Sequence, residues 1–127
     1  MVTLQERIDN ALSLRKQGFN CAQCVAMTYD PSLEVATAGL GTGISGTGHI
    51  CGAATAMAIV TATLKYEGPA EKAALYARIR GCLDKFAALN QGDTNCSDLR
   101  RPGRKPCVDL IKDAVTILHE VSNEEGV

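Results

Sequence analysis

Apolar residues recur at three- and four-residue intervals at Leu4, Ile8, Ala11 and Leu12, which predicts a helix over residues 3–17. Thr3 followed by Glu6 forms a capping box at its start, and Gly18 supplies a stop. Asn20 restarts a helix, with Gln23 completing a second cap, and Pro31 ends it because the residue before a proline resists the helical region. A short helical turn is expected over Ser32 to Thr37, then a glycine-rich loop from Gly39 to Gly48. From about His49 the stretch CGAATAMAIVTATLKY is apolar or small on every side, the pattern of a buried central helix. Its β-branched residues leave a strand as the alternative, but its length and alanine content favour helix.

Gly68-Pro69 breaks the chain, and Pro69 suits the first position of a following helix. Leu75, Ile79, Cys82, Phe86 and Leu89 form its apolar stripe. Residues 92–106 are a polar loop with a short turn expected at Asn95, Asp98 serving as its cap partner. The last helix should begin near Pro106, bury Cys107, Ile111, Ala114, Leu118 and Val121, and fray from Ser122. The expected fold is an all-α, single-domain bundle of about five helices spanning residues 1–127, with a central small-residue helix and a Gly-rich loop.

Composition narrows the function classes. With 127 residues and 46% hydrophobic content the chain suits one domain with one core. A net charge of -1 gives no basic footprint for nucleic acid. The polar N-terminus has no secretory pattern, and the apolar stretch from Cys51 to Leu64 is too short to insert into a membrane. A soluble, cytoplasmic bacterial protein is expected. Six cysteines then point to redox or metal chemistry rather than an extracellular disulfide framework.

Cys21, Cys51, Cys96 and Cys107 each fall in the first turn of an expected helix. Free backbone N–H groups and the helix dipole favour a thiolate there. Cys82, in mid-helix on an apolar stripe, is expected to pack as a small hydrophobe. Cys107 also begins an apolar stripe, which leaves both packing and chemistry open for it. Cys21 and Cys24 form a CxxC pair at a helix start, without the βαβ context of thioredoxin-like proteins. A single CxxC pair argues against a zinc ribbon.

Gly41 to Gly46 matches G-x-G-x-x-G but lacks a preceding strand, so a loop of positive φ angles, or an anion-binding nest, is favoured over a dinucleotide site. His49 is a secondary candidate base or ligand, with a solvated loop residue the commoner role. His119 suits a helix C-terminus. Arg100, Arg101, Arg104 and Lys105 lie between two cysteines, where positive charge would favour thiolates; such a run is more often just a solvated loop.

Gly18-Phe-Asn-Cys21-Ala-Gln, then Cys51-Gly-Ala53 after a glycine-rich loop, then Cys96 and Cys107, resemble the redox-active protein family named for its C_GCAxxG_C_C cysteine pattern. The resemblance spans nearly the whole chain and maps the family's four cysteines onto Cys21, Cys51, Cys96 and Cys107, leaving Cys24 and Cys82 as extras. Ala56 stands where the motif has its last glycine, adding one methyl group. The resemblance implies a redox role and brings no substrate or cofactor.

Three functions follow from these residues. The first is thiol–disulfide exchange or electron transfer with a redox partner protein or small thiol, pairing Cys21 with Cys51 and Cys96 with Cys107 among the three connectivities four cysteines allow. It requires no cofactor. The second is a metal or iron–sulfur site ligated by Cys21, Cys51, Cys96 and Cys107. The third is a non-catalytic helical domain with structural cysteines.

Overall fold

A computed structural model describes residues 2–124. The longer helices are α1 (Leu4–Lys16), α2 (Cys21–Met27), α5 (Gly52–Lys65), α6 (Lys72–Leu89) and α8 (Cys107–Glu124). Between them lie three four-residue helical segments, α3 (Glu34–Thr37), α4 (Gly41–Ile44) and α7 (Cys96–Leu99), and short 3-10 turns. The fold is all-α, as the periodicity predicts, with the short segments additional to the five principal helices.

Both predicted capping boxes form. Thr3 Oγ1 accepts the Glu6 N–H at 3.1 Å while Glu6 accepts the Thr3 N–H at 3.2 Å. Asn20 Oδ1 accepts the Gln23 N–H at 2.9 Å, and Gln23 Oε1 accepts the Asn20 N–H at 3.1 Å. Each box satisfies two amides that helix geometry leaves unpaired. The second one fixes where α2 begins, and therefore where Cys21 sits.

Other boundaries differ from expectation. Helix α2 ends at Met27, before Pro31, which instead opens a 3-10 turn. Pro69 likewise opens a 3-10 turn, and α6 starts only at Lys72. Helix α5 starts at Gly52 rather than near His49, because residues 49–51 are held extended against the 94–96 segment. Asn95 makes no side-chain cap at α7; the Asp98 N–H donates to the Asn95 carbonyl at 3.1 Å instead. Helix α8 continues through Ser122 to Glu124, so fraying there is not observed, and the rest of the tail lies outside the described residues.

Helix α5 packs against α2, α6, α8 and α4, which places it at the centre. Gly52, Ala53, Ala54, Ala56, Met57, Val60 and Thr61 are its buried positions. Burial is not complete all round: Leu64 and Tyr66 are exposed near its C-terminal end, where the bundle stops covering it. Leu89, the last member of the α6 stripe, is also exposed, while Leu75, Cys82 and Phe86 are buried. Small side chains let α2 and α5 approach closely. A Cβ added at Gly52 would lie 3.0 Å from the Leu40 carbonyl oxygen and 3.1 Å from the Ala22 nitrogen. Ala56 is fully buried on the same helix.

At the other end Arg7 ties α1 to α2. Its guanidinium donates to the Thr28 carbonyl at 2.7 Å and lies 4.0 Å from the centre of the Tyr29 ring. The Tyr29 hydroxyl donates to the Val115 carbonyl at 3.3 Å, joining α8 to the same corner. Among the described residues no helix is long and apolar enough to cross a membrane.

Candidate functional site

Cys21, Cys51, Cys96 and Cys107 line one cavity of about 80 Å³. Cys21, Cys96 and Cys107 are each the first residue of a helix, α2, α7 and α8 respectively, and Cys51 is the N-cap of α5. Helix starts from four distant parts of the sequence therefore converge on one space. Arg15, Asn20 and Arg100 complete its polar wall.

Two backbone devices hold the inner half of the site. Ile50 and Asn95 form an isolated antiparallel bridge, in which the Cys51 N–H donates to the Thr94 carbonyl at 2.8 Å and the Cys96 N–H to the His49 carbonyl at 2.6 Å. This bridge brings Cys51 and Cys96 together and buries both. The second device is the glycine-rich segment. Thr42, Gly43, Ile44 and Ser45 have φ of 53, 66, 64 and 53°, a turn of left-handed helix. For the three non-glycine residues this conformation costs about 1 kcal/mol or more each. It is held by the Ser45 N–H donating to the Gly41 carbonyl and the His49 N–H to the Gly43 carbonyl. Thr42 and Gly43 thereby form part of the cavity wall. A positive-φ loop matches expectation, but half of the positive angles in the Gly39–Gly48 segment fall on residues that bear side chains, Thr42, Ile44 and Ser45.

The outer half is Cys21 and Cys107, both half-buried. Their thiols are hydrogen-bonded to each other. The interaction between these two thiols is the largest influence on both groups. It pulls the Cys107 pKa down to about 6, with Arg100, Arg15 and its own helix-start N–H acting in the same direction. The Cys21 thiol moves the other way, raised by that same bond, by burial and by the neighbouring Cys107 and Cys51 charges.

Placement at a helix start alone does not lower a thiol pKa here. Burial raises that of Cys51 even though the Ala53 and Ala54 amides favour its thiolate. Of the cysteines with a resolved shift, only Cys107 is lowered, and the neighbour that influences it most is Cys21.

The remaining candidates lie apart from the cavity. Cys24 is fully buried in α2, its thiol 3.6 Å from the Phe19 carbonyl, and burial pushes its pKa up to about 11. Cys82 is fully buried in α6, as expected of a core residue, and hydrogen-bonds the Thr61 side chain. His49 is exposed, its Nδ1 2.6 Å from the Thr47 hydroxyl, and it shapes the site through its backbone carbonyl rather than its ring. His119 lies half-buried in α8. Arg15, Asn20 and Thr42 are cavity residues that sequence reasoning did not select. Only their proximity to Cys21 and to the glycine-rich segment hinted at it.

Four thiols around one space have the donor chemistry of a soft-metal site. Among the described residues, however, no group of three or more Cys, His, Asp or Glu side chains is disposed to hold a metal ion. Two of the four sulfurs, those of Cys21 and Cys107, are half-buried, and the other two, those of Cys51 and Cys96, are buried.

A family model described as "Putative redox-active protein (C_GCAxxG_C_C)" matches residues 19–121. An uncharacterized protein of the archaeon Archaeoglobus fulgidus is 30% identical over 113 residues, covering 76% of this chain and 74% of that protein. No solved structure matches.

Proposed function

The chain belongs to the C_GCAxxG_C_C family of redox-active proteins, and from that premise we propose that it is a thiol–disulfide exchange protein in which Cys107 attacks and Cys21 resolves. The observation that carries this is that Cys21 and Cys107, both half-buried, line one cavity together with Arg100 and Arg15, whose charges favour the Cys107 thiolate. The Cys107 thiolate attacks one sulfur of a disulfide RSSR, forming a Cys107–S–S–R mixed disulfide and expelling RS⁻. The Cys21 proton passes to that leaving thiolate. The Cys21 thiolate so formed attacks the Cys107 sulfur, closes a Cys21–Cys107 disulfide and expels the second RS⁻. One substrate disulfide is reduced to two thiols while two protein thiols become one disulfide, and no cofactor is consumed.

A reducing compartment such as the cytoplasm would keep such thiols available for exchange. The partner in this scheme is a small disulfide or a protein disulfide. Trapping tests it. A Cys21→Ser variant should accumulate a stable mixed disulfide at Cys107 on exposure to a small disulfide, whereas the wild type should pass through it to an internal bridge. Equal attack at every cysteine, or none at Cys107, would rule this mechanism out.

A further inference from the structure

Cys107 borders a second space. A recess of about 210 Å³ is lined by Arg100, Arg101, Arg104, Lys105, Cys107 and Leu110 among others. Leu99, Arg100, Cys107 and Leu110 also line the four-cysteine cavity, so the two spaces adjoin at Cys107. Arg100, Arg101 and Pro106 are exposed and Cys107 is half-buried, so the recess meets solvent beside Cys107.

Its charge is unbalanced. Arg101 and Arg104 share the single Asp93 carboxylate at 3.2 and 2.8 Å, and Lys105 pairs with Asp113 at 2.7 Å. Asp98 meets Arg101 and Arg104 through its backbone carbonyl rather than its carboxylate. Arg100 makes no ion pair among the described residues. Four cations line the recess, two carboxylates pair with three of them, and the Cys107 thiolate stands against Arg100, which leaves one positive charge in excess at the entrance. Arg104 is also tied to the Asn90 carbonyl at 2.8 Å and Lys105 to α8, so both are held in place. Arg100 and Arg101 lie outermost.

We propose that this recess is the substrate subsite and that it selects low-molecular-weight disulfides carrying negative charge, whose carboxylates meet Arg100 and Arg101 while one sulfur reaches Cys107. This rests on the exchange mechanism above and adds the chemical class of the substrate to it. The covalent step is the one already balanced: attack by Cys107, release of one anionic thiol, closure by Cys21 and release of the second. A cationic disulfide is repelled at the same entrance, and a neutral one is neither drawn nor repelled.

The test compares three probes at low ionic strength on the full chain. They are oxidised glutathione (anionic), bis(2-hydroxyethyl) disulfide (neutral) and cystamine (cationic). Each rate of reaction at Cys107 is divided by the rate of the same probe with mercaptoethanol, which removes intrinsic differences between the disulfides. The thiolate fraction of Cys107 is common to all three and cancels from their ratios. The normalised rates should fall in the order anionic, neutral, cationic, spanning roughly tenfold or more. Salt should compress the span, and an Arg100→Gln/Arg101→Gln double variant should nearly abolish it. Equal normalised rates in the wild type, or a preference for cystamine, would overturn the inference and leave the exchange mechanism standing. Failure of all three probes to react at Cys107 would overturn the mechanism beneath it as well.

Discussion

At the scale of single residues, chemistry is concentrated on one sulfur. The Cys107 thiolate is favoured by the neighbouring Cys21 thiol and by two arginines close by, while burial drives the Cys24, Cys51 and Cys82 thiols upward. For an acid whose ionised form is the anion, a donor or a nearby cation lowers the pKa. The reactive thiolate is thus present above about pH 6 and lost below it. The alkylation rate of Cys107, followed by peptide mass against pH, should show a midpoint near that value. Cys21→Ala removes the donor and should move the midpoint up toward the ordinary thiol range near 9. Cys21→Ser keeps a donor and should move it less. Cys82→Ala should behave differently, lowering stability by about 1 kcal/mol in denaturant titration while leaving Cys107 reactivity intact.

The sequence already separates four cysteines from two, because position at a helix start is a local property. The bond between Cys21 and Cys107 is not local. It depends on how α2 meets α8, and no spacing along the chain encodes that. The helix-start argument favours a thiolate at Cys51 as well, and burial outweighs it there for a similar reason: a helix start is visible in sequence, but the depth of burial is not.

At the scale of elements, the segment around Gly43 shapes the inner cavity. Its left-handed turn is maintained although Thr42, Ile44 and Ser45 all resist that conformation. Gly43 has no room for a side chain: a Cβ there would lie 2.7 Å from Cys96 Cβ and from the His49 backbone. Gly46 also has a positive φ, +82°, but faces open space. Gly46→Ala should therefore cost about 1 kcal/mol, the strain alone. Gly43→Ala should cost a further ~1–3 kcal/mol from overlap and should disturb Cys96 as well, which denaturant titration of the two variants would separate. A cluster of glycines predicts a loop with positive φ. It does not predict that Thr42, Ile44 and Ser45 share the left-handed conformation with the glycines, because the hydrogen bonds to Gly41 and Gly43 that hold them there have no signature in composition.

At the scale of the whole molecule, helix periodicity and two capping boxes were enough to lay out the bundle, since α1, α2, α5, α6 and α8 each carry an apolar face or a small-residue surface of their own. What the pattern missed is the extended pairing of residues 49–51 with 94–96, which is only one bridge long and has no periodicity. That pairing and the Arg104 anchor together position the 92–106 loop, which carries Cys96 and leads into Cys107. Arg104 donates to Asp93 at 2.8 Å and to the Asn90 carbonyl at 2.8 Å, pinning the loop to the end of α6. Arg104→Ala should speed amide hydrogen exchange across α7 and lower the yield of internal bridge formation, with the helices of the bundle retaining their protection.

The central claim is that Cys21 and Cys107 form the exchanging pair. The most direct measurement is to oxidise the reduced protein with one equivalent of a mild oxidant, block the remaining thiols and map the bridge by peptide mass. A Cys21–Cys107 disulfide, with a loss of two hydrogens from the intact mass and Cys24 and Cys82 still alkylatable after denaturation, is the predicted result. A first bridge joining Cys21 to Cys51 or Cys96 to Cys107, or no defined bridge at all, would contradict it.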